Sequence, residues 1–290
     1  IGKFELSSSN PEVEEYGGGN GTTLTPRILP NVASWRKNTV SNFWRVIYDM
    51  QASNNIYGLT TSRTNTDSHM LTNMEWGAVA YLTNSKYGRC TNGSCTEISK
   101  NCYGEKNLGY RTSMTGCGPM KNSGIDYDTI CNAYNTTLGQ TASTTGNVYG
   151  VYDMSGGADE YVMGNMSSTS GTSYTYYASD AGTNFTYSTD TVKYLIPYAY
   201  GTTCKDQTAS NRGRLGDATG EVVLINNSTN INGGWYRDYT CFSYYGNSWF
   251  SRGGSAYTTP YSSSGIFSFN DEDGNSAFTL STRAALSITP

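Results

Sequence analysis

Histidine is nearly absent from this 290-residue chain: His69 is the only one. Ser-His-Asp and Cys-His centres need a base beside their nucleophile. One histidine just ahead of an expected helix, read as a partly exposed side chain near the helix cap, supplies that chemistry poorly. Charge is scarce as well. Only 14% of residues are charged, the net charge is −4, and there is no long basic run. Nucleic-acid binding needs a positive footprint, so that class is disfavoured. No run of about 20 apolar residues occurs, so nothing is expected to span a membrane. No leader-like segment opens the sequence as it stands, which leaves an upstream export signal or anchor open. The Cys-x-x-Cys spacing of zinc sites is missing. So is a Gly-rich phosphate loop between strand and helix.

Neutral polar and aromatic residues fill the space. Hydrophobic residues make up 36%, with 25 tyrosines and 33 glycines. A core of this composition leans on aromatics, and its surface is neutral and polar, as in extracellular adhesive proteins. The seven cysteines are Cys90, Cys95, Cys102, Cys117, Cys131, Cys204 and Cys241, five of them within 90–131. They read as disulfides stapling a long loop, each contributing about 3 kcal/mol, and imply an oxidising, extracellular or cell-surface location. Cys90–Cys95 fits a short bridge and Cys204–Cys241 a long one. Cys102, Cys117 and Cys131 then leave one thiol over.

Helical signals lie in the first third. Thr39 caps Val40, Phe43, Trp44, Ile47 and Met50 at helical spacing. Thr72 and Glu75 form a capping box ahead of Trp76, Ala78, Val79 and Leu82, with Gly88 as the stop. Ile1–Leu6 reads as a first strand. Short apolar runs flank Ser155-Gly156-Gly157 as in a β-hairpin. Residues 165–230 have little period. Tyr239–Phe242, Trp249–Arg252, Gly265–Phe269 and Arg283–Ile288 read as strands. The expected class is α+β: two helices in the N-terminal half, a small mixed or antiparallel sheet and long disulfide-stapled loops, in a single domain over 1–290.

Two acidic groupings stand out. Asp153, Asp159 and Glu160 flank a turn. A carboxylate pair for glycoside hydrolysis is weighed there against acids that accept from turn N–H groups, and the second reading is preferred. Asn270-Asp-Glu-Asp-Gly-Asn-Ser276 lacks the ligand spacing of an EF-hand and reads as a solvated loop tip. A weak structural Ca²⁺ is the one cofactor it leaves open.

Asn147-Val-Tyr-Gly-Val-Tyr-Asp-Met-Ser-Gly156 is similar to the "N-x-x-G-L-Y-D-M-S-G" block of the formylglycine-generating-enzyme (sulfatase-modifying factor) family. Phe250-Ser-Arg-Gly-Gly-Ser255 resembles its "R-G-G-S-W", Arg283-Ala-Ala-Leu286 its closing "G-F-R", and Met74–Tyr81 its "W-x-x-A-x-x-Y/F" helix. The blocks fall in the same order over most of the chain. The resemblance implies a C-type-lectin-like fold. That enzyme works through a cysteine pair in its C-terminal segment, and no cysteine follows Cys241 here, so the activity is not carried over. Thr282 also replaces the Phe before the final Arg.

Gly2-Lys-Phe-Glu5, Tyr87-Gly-Arg-Cys90 and Leu215-Gly-Asp-Ala-Thr-Gly-Glu221 resemble a group of surface proteins of gut Firmicutes. The segment 235–283 resembles the variable region of proteins diversified by retroelements, whose Asn-type codons do not reach Lys, Gln, Met, Trp or Glu. From Ser255 to Thr282 the only such residue is Glu272.

These readings converge on a non-enzymatic adhesin or receptor-binding protein. Its contacts are expected at Tyr244, Tyr245, Asn247, Ser255, Tyr257, Thr258, Thr259, Tyr261, Asn270, Asp271, Glu272, Asp273, Asn275, Phe278 and Thr279. Tyrosines supply rigid contact area and the small polar residues adaptable hydrogen bonds, the chemistry of paratopes. Trp249, Ile266, Phe267, Phe269 and Gly253-Gly254 belong to the frame, with Arg252 and Arg283 as buried structural pairs. The partner class is a protein or glycan on another cell or virus. A divergent formylglycine-type oxidase and a passive pilus or surface subunit are the alternatives.

Overall fold

A computed structural model describes residues 1–10, 17–101, 113–119, 131–170, 173–176, 193–198, 215–217, 221, 235–243, 247–255 and 264–288. In chain order the strands are β1 (Ser7–Ser8), β2 (Pro26–Arg27), β3 (Thr66–Met70), β4 (Cys90–Thr91), β5 (Ser94–Cys95), β6 (Asp159–Ser170), β7 (Ser173–Tyr176), β8 (Ile196–Tyr198), β9 (Trp249–Gly253), β10 (Gly265–Glu272), β11 (Leu280–Thr282) and β12 (Ala284–Ile288). The helices are α1 (Val40–Tyr48) and α2 (Asn73–Thr83). The α+β class holds among the described residues.

The caps form where the residue types put them. Thr39 accepts from the Asn42 N–H at the start of α1. Thr72 and Glu75 make the reciprocal capping box of α2. Glu75 also bonds the buried ring of His69. His69 is therefore not the partly exposed cap residue that its position predicts. It lies in β3 opposite Ala285 and stacks on Tyr194 at 3.7 Å. Nor does Gly88 stop α2, which ends at Thr83 with Asn84 as its cap.

The main sheet runs β10-β9-β6-β11, with β7 and β8 also paired to β6. It is mixed: β9 is antiparallel to both neighbours, while β8 and β11 run parallel to β6. Side chains alternate across a strand, and here the alternation sorts two cores. Tyr161, Met163 and Trp249 pack with Phe43, Trp44 and Ile47 of α1. Val162 and Phe250, one residue out of step, pack with Trp76 and Ala80 of α2. The sheet thus has one helix on each face. A second ladder, β3 with β12, brings the end of the described chain back beside α1.

Three expected elements differ. Ile1–Leu6 is not a strand, although Gly2 and Leu6 donate to Ala284 and Thr282. The hairpin about Ser155–Gly157 does not form. The Gly156 and Gly157 N–H groups bond Gly253 and Asn101, and Tyr152 bonds Lys3, so distant partners take the hydrogen bonds that a hairpin would use. Tyr239–Phe242 makes one bridge, Thr240 to Phe269, instead of a strand. Conversely, the weakly periodic region after 165 contains the second half of β6, β7 and β8.

Disulfides are present. Cys90–Cys95 closes the β4–β5 hairpin as expected, and Cys117 pairs with Cys131. Cys241 is disulfide-bonded too. Cys102 and Cys204 lie outside the described residues. No helix among the described residues is long and apolar enough to cross a membrane.

Candidate functional site

The C-terminal segment is built on the β9–β10 pair. Gly265 pairs with Gly253, but Phe269 pairs with Arg252, so Ile266, Phe267 and Ser268 bulge out of register. Three buried groups fix that bulge. Trp76 Nε1 donates to the Ile266 carbonyl at 2.9 Å, Asp238 accepts the Phe267 N–H at 2.9 Å, and Arg252 Nε donates to the Ser268 carbonyl at 3.0 Å. Arg252 also donates to Asn73 Oδ1 at 2.5 Å. The glycines are required: Gly253 has φ +86, and a Cβ there would sit 3.1 Å from the Trp76 ring. Trp249, Ile266, Phe267 and Phe269 are buried, as expected of the frame.

Beyond the bulge, regular pairing resumes and continues further than expected. Asn270, Asp271 and Glu272 pair with Ser251, Phe250 and Trp249. They are half-buried strand residues, which corrects the reading of 270–276 as a solvated loop tip; Asp273 to Ser276, also half-buried apart from buried Gly274, make the turn that follows. Period-two alternation puts Asn270 and Glu272 on one face and Asp271 on the other. Glu272 accepts from Asn270 at 3.2 Å and weakly from Ser251 at 3.4 Å. Asp271 accepts from Asn247 at 2.8 Å.

The next loop is held by its backbone. Val40 N–H donates to the Gly274 carbonyl, Lys37 N–H to Ala277 and Asp159 N–H to Thr279. Tyr161 Oη donates to the Asn275 carbonyl at 2.8 Å, and Arg36 to Phe278 at 2.6 Å. Asp273 accepts from both the backbone and side-chain nitrogens of Asn275. The backbone is thus tied down while the side chains of Asp273, Asn275, Phe278 and Thr279 stay half-exposed.

Acidity distinguishes this edge. Burial pushes the Glu272 carboxyl up to about 9, with Asp159, Asp271 and Asp273 adding to the rise. Burial raises Asp159 to about 7 and also lifts Asp271, against the Asn247 hydrogen bond. A carboxyl with its proton both donates and accepts a hydrogen bond. Among the described residues no three of His, Cys, Asp or Glu converge as a metal-binding group.

Of the expected contact residues, Asn247, Asn270, Asp271, Glu272, Asp273, Asn275, Phe278 and Thr279 fall on this edge and are half-exposed. Ser255 is buried, its carbonyl accepting from Ser264, and belongs to the frame. Tyr244, Tyr245, Tyr257, Thr258, Thr259 and Tyr261 lie outside the described residues. Sequence reasoning missed Asp159 and Tyr239 as members of the edge; the Tyr239 phenol is raised by burial and by Asp271, Asp159 and Glu272. It also passed over Trp235 and Tyr236, exposed aromatics that pack on Phe267. Tyr236 has φ +60, uncommon for a non-glycine residue.

The other acidic grouping separates in space. Asp153 accepts from Gly116 N–H, Glu5 N–H and Asn101, which fits the expectation that it satisfies backbone donors. Glu160 pairs with buried Arg283 at 2.5 and 2.9 Å. Asp159, one residue earlier on β6, points the other way.

No protein-family model matches this chain, and no curated protein matches its sequence.

Proposed function

We propose that the chain is an extracellular ligand-binding protein, an adhesin or receptor-binding module. It presents the C-terminal edge from a C-type-lectin-like scaffold to a protein or glycan on another cell or virus. One observation carries this reading: among the described residues of 247–279, buried residues and backbone hydrogen bonds are fixed by distant partners, while eight polar or aromatic side chains stay half-exposed on that anchored backbone. Preorganisation of this kind lowers the entropy cost of binding. Side chains that make few frame contacts can also be exchanged without unfolding the domain. That property suits a variable region, and the composition of 255–282 fits diversification at adenines.

An enzymatic role gains little from the same edge. A carboxyl that keeps its proton to about pH 9 does not serve as the base for Ser251 at neutral pH. The oxidase reading lacks its cysteine pair, since no cysteine follows Cys241.

The test is a broad protein and glycan binding screen with the intact chain and with Asp271→Ala, Tyr257→Ala and Phe278→Ala. Each variant is expected to weaken or abolish at least one detected binding event at unchanged thermal stability. Unaltered binding in all three would remove the site assignment. At the gene, a neighbouring reverse transcriptase and a template repeat differing only at adenines are expected.

A further inference from the structure

A second place on the molecule has the chemistry of a ligand site, and it does not depend on the C-terminal edge. Residues 22–26 run past the last turn of α1 and meet the loop 54–57, leaving a groove of about 240 Å³ between them. The nine residues of α1, about 13 Å of helix, lead from this groove to the Gly274 loop that receives the Val40 N–H.

The loop wall is built to hold its shape. Gln51 is buried and bonds the Thr60 and Thr66 carbonyls and the Ser68 N–H. The Asn55 side chain donates to Ala52 and Leu59 and accepts from the N–H groups of Tyr57 and Leu59. Asn54 at φ +63 and Gly58 at φ +69 turn the corners. Tyr57 Oη donates to the Pro26 carbonyl at 2.6 Å and pins the loop to the facing wall. A preformed wall of this kind spares the cost of ordering a loop on binding.

The lining then states what fits. Its floor is apolar, from Leu24, Val46 and Met50, and Ile56 stands 67% exposed at the lip. Its polar groups are neutral hydroxyls and an amide: Thr22, Thr23, Thr25 and Asn54 line the groove, and none of these side chains is engaged by the rest of the described protein. The one charged lining residue among those described, Asp49, is paired with Arg45 at 2.6 Å. Among the described residues, no lysine or arginine lines the space. An anion entering it would meet Asp49 and gain no cation in exchange for its water. The volume lies just below the usual range of small-molecule sites, which starts at about 300 Å³, so it takes one ring and not a chain.

From this geometry we infer that the groove between residues 22–26 and 54–57 binds a single neutral pyranose, the terminal sugar of an uncharged glycan. The sugar's apolar C–H face lies on Leu24, Met50 and Ile56, and its hydroxyls bond Thr23, Thr25 and Asn54.

The experiment titrates the deuterated, ¹⁵N-labelled intact chain with methyl glycosides of glucose, galactose, mannose and N-acetylglucosamine, and with methyl glucuronoside as the anionic control, reading amide shifts. At least one neutral glycoside is expected to shift resonances of 22–25 and 54–57, with a Kd of about 1 mM, ordinary for a small polar ligand. Glucuronoside is expected to bind at least ten-fold more weakly. Asn54→Gly keeps the left-handed corner and loses the amide, and Thr23→Val keeps the shape and loses the hydroxyl. Each is expected to weaken binding about five-fold, the loss of one net hydrogen bond, with the spectrum otherwise preserved. The inference is overturned if no neutral glycoside shifts these residues, if glucuronoside binds equally well, or if both variants bind like the parent. Shifts confined to 247–279 would support the C-terminal edge and overturn the groove.

Discussion

Two acidic regions of this protein sit one residue apart on β6 and behave differently. On one face of the strand, Glu160 joins Glu5 and Asp153 around Arg283. Arg283 spends its guanidinium on Glu160 and on the carbonyls of Gly2 and Tyr152. On the other face, Asp159 lies on the same side as Glu272, with Asp271 and Asp273 beside Glu272 along the chain. Burial raises Glu5, Asp153 and Glu160 in the first group and Asp159, Asp271 and Glu272 in the second. In the first, the cation pulls Glu160 and Asp153 back down, whereas Glu5, beside both, is pushed well up. In the second, Asp159, Asp271 and Asp273 push Glu272 further up. The first group ties together the start of the chain, the turn before β6 and the β11–β12 junction, so it serves the fold. In the second, the folded state holds Glu272 protonated where the unfolded chain would release the proton, so it serves stability poorly above pH 4.5.

The largest effect should come from removing the cation. Arg283→Met leaves three carboxyls buried without it, and breaking a buried pair costs about 3–5 kcal/mol. Urea unfolding should show that loss, with the melting temperature down by roughly 10 °C. A change within about 1 kcal/mol would erase the distinction between the two regions. Next is Asp153→Ala, which strips the acceptor from two buried N–H groups and the Asn101 amide at a residue with φ +62. A loss of about 2–3 kcal/mol is expected by the same measurement.

At the edge the sign reverses. The Glu272 carboxyl is raised from 4.5 to about 9, so the folded state holds a proton that the unfolded chain releases. Its contribution to stability is therefore greatest below pH 4.5 and declines as pH rises through about 9. Glu272→Gln should raise the melting temperature by about 2–4 °C at pH 8, and the gain should vanish at pH 4. A loss at pH 8 would show that Glu272 is satisfied by a cation. The smallest effect belongs to Asn247→Ala, which removes one half-exposed hydrogen bond to Asp271. Its stability should stay within about 0.5 kcal/mol, while any ligand resting on the edge should bind more weakly.

Local signals proved legible. Thr39 and the Thr72–Glu75 box act within one helical turn, so their chemistry is complete in a short stretch of sequence. The assignment of Arg252, Arg283, Trp249 and Phe267 to the frame also held, because large or charged groups in short apolar runs have few ways to be satisfied. The short Cys90–Cys95 bridge needed only proximity in the chain. Gly88 failed as a stop because α2 ends earlier, at Thr83, where the Asn84 N–H and side chain both bond the Ala80 carbonyl.

Long-range pairing was not legible, and it decided the rest. Ser155-Gly156-Gly157 has the residues of a hairpin turn, yet its N–H groups go to Asn101 and Gly253. His69 looks like a cap neighbour until β12 arrives beside β3 and buries it. Asn270–Glu272 is as polar as a loop, but β9 offers free ladder positions and draws it into the sheet.

The sequence by itself determined the helix starts, the disulfide chemistry of the cysteines and the division of the described C-terminal residues into a buried apolar frame and half-exposed polar positions, since each depends on residue type and near neighbours. Only the tertiary structure decided that Asp159 and Glu160 belong to different regions, and that the acidic C-terminal stretch is an anchored edge. The physical reason is pairing register. Successive residues of a strand face opposite ways, and which face meets Arg283 and which meets Glu272 depends on partners more than a hundred residues away.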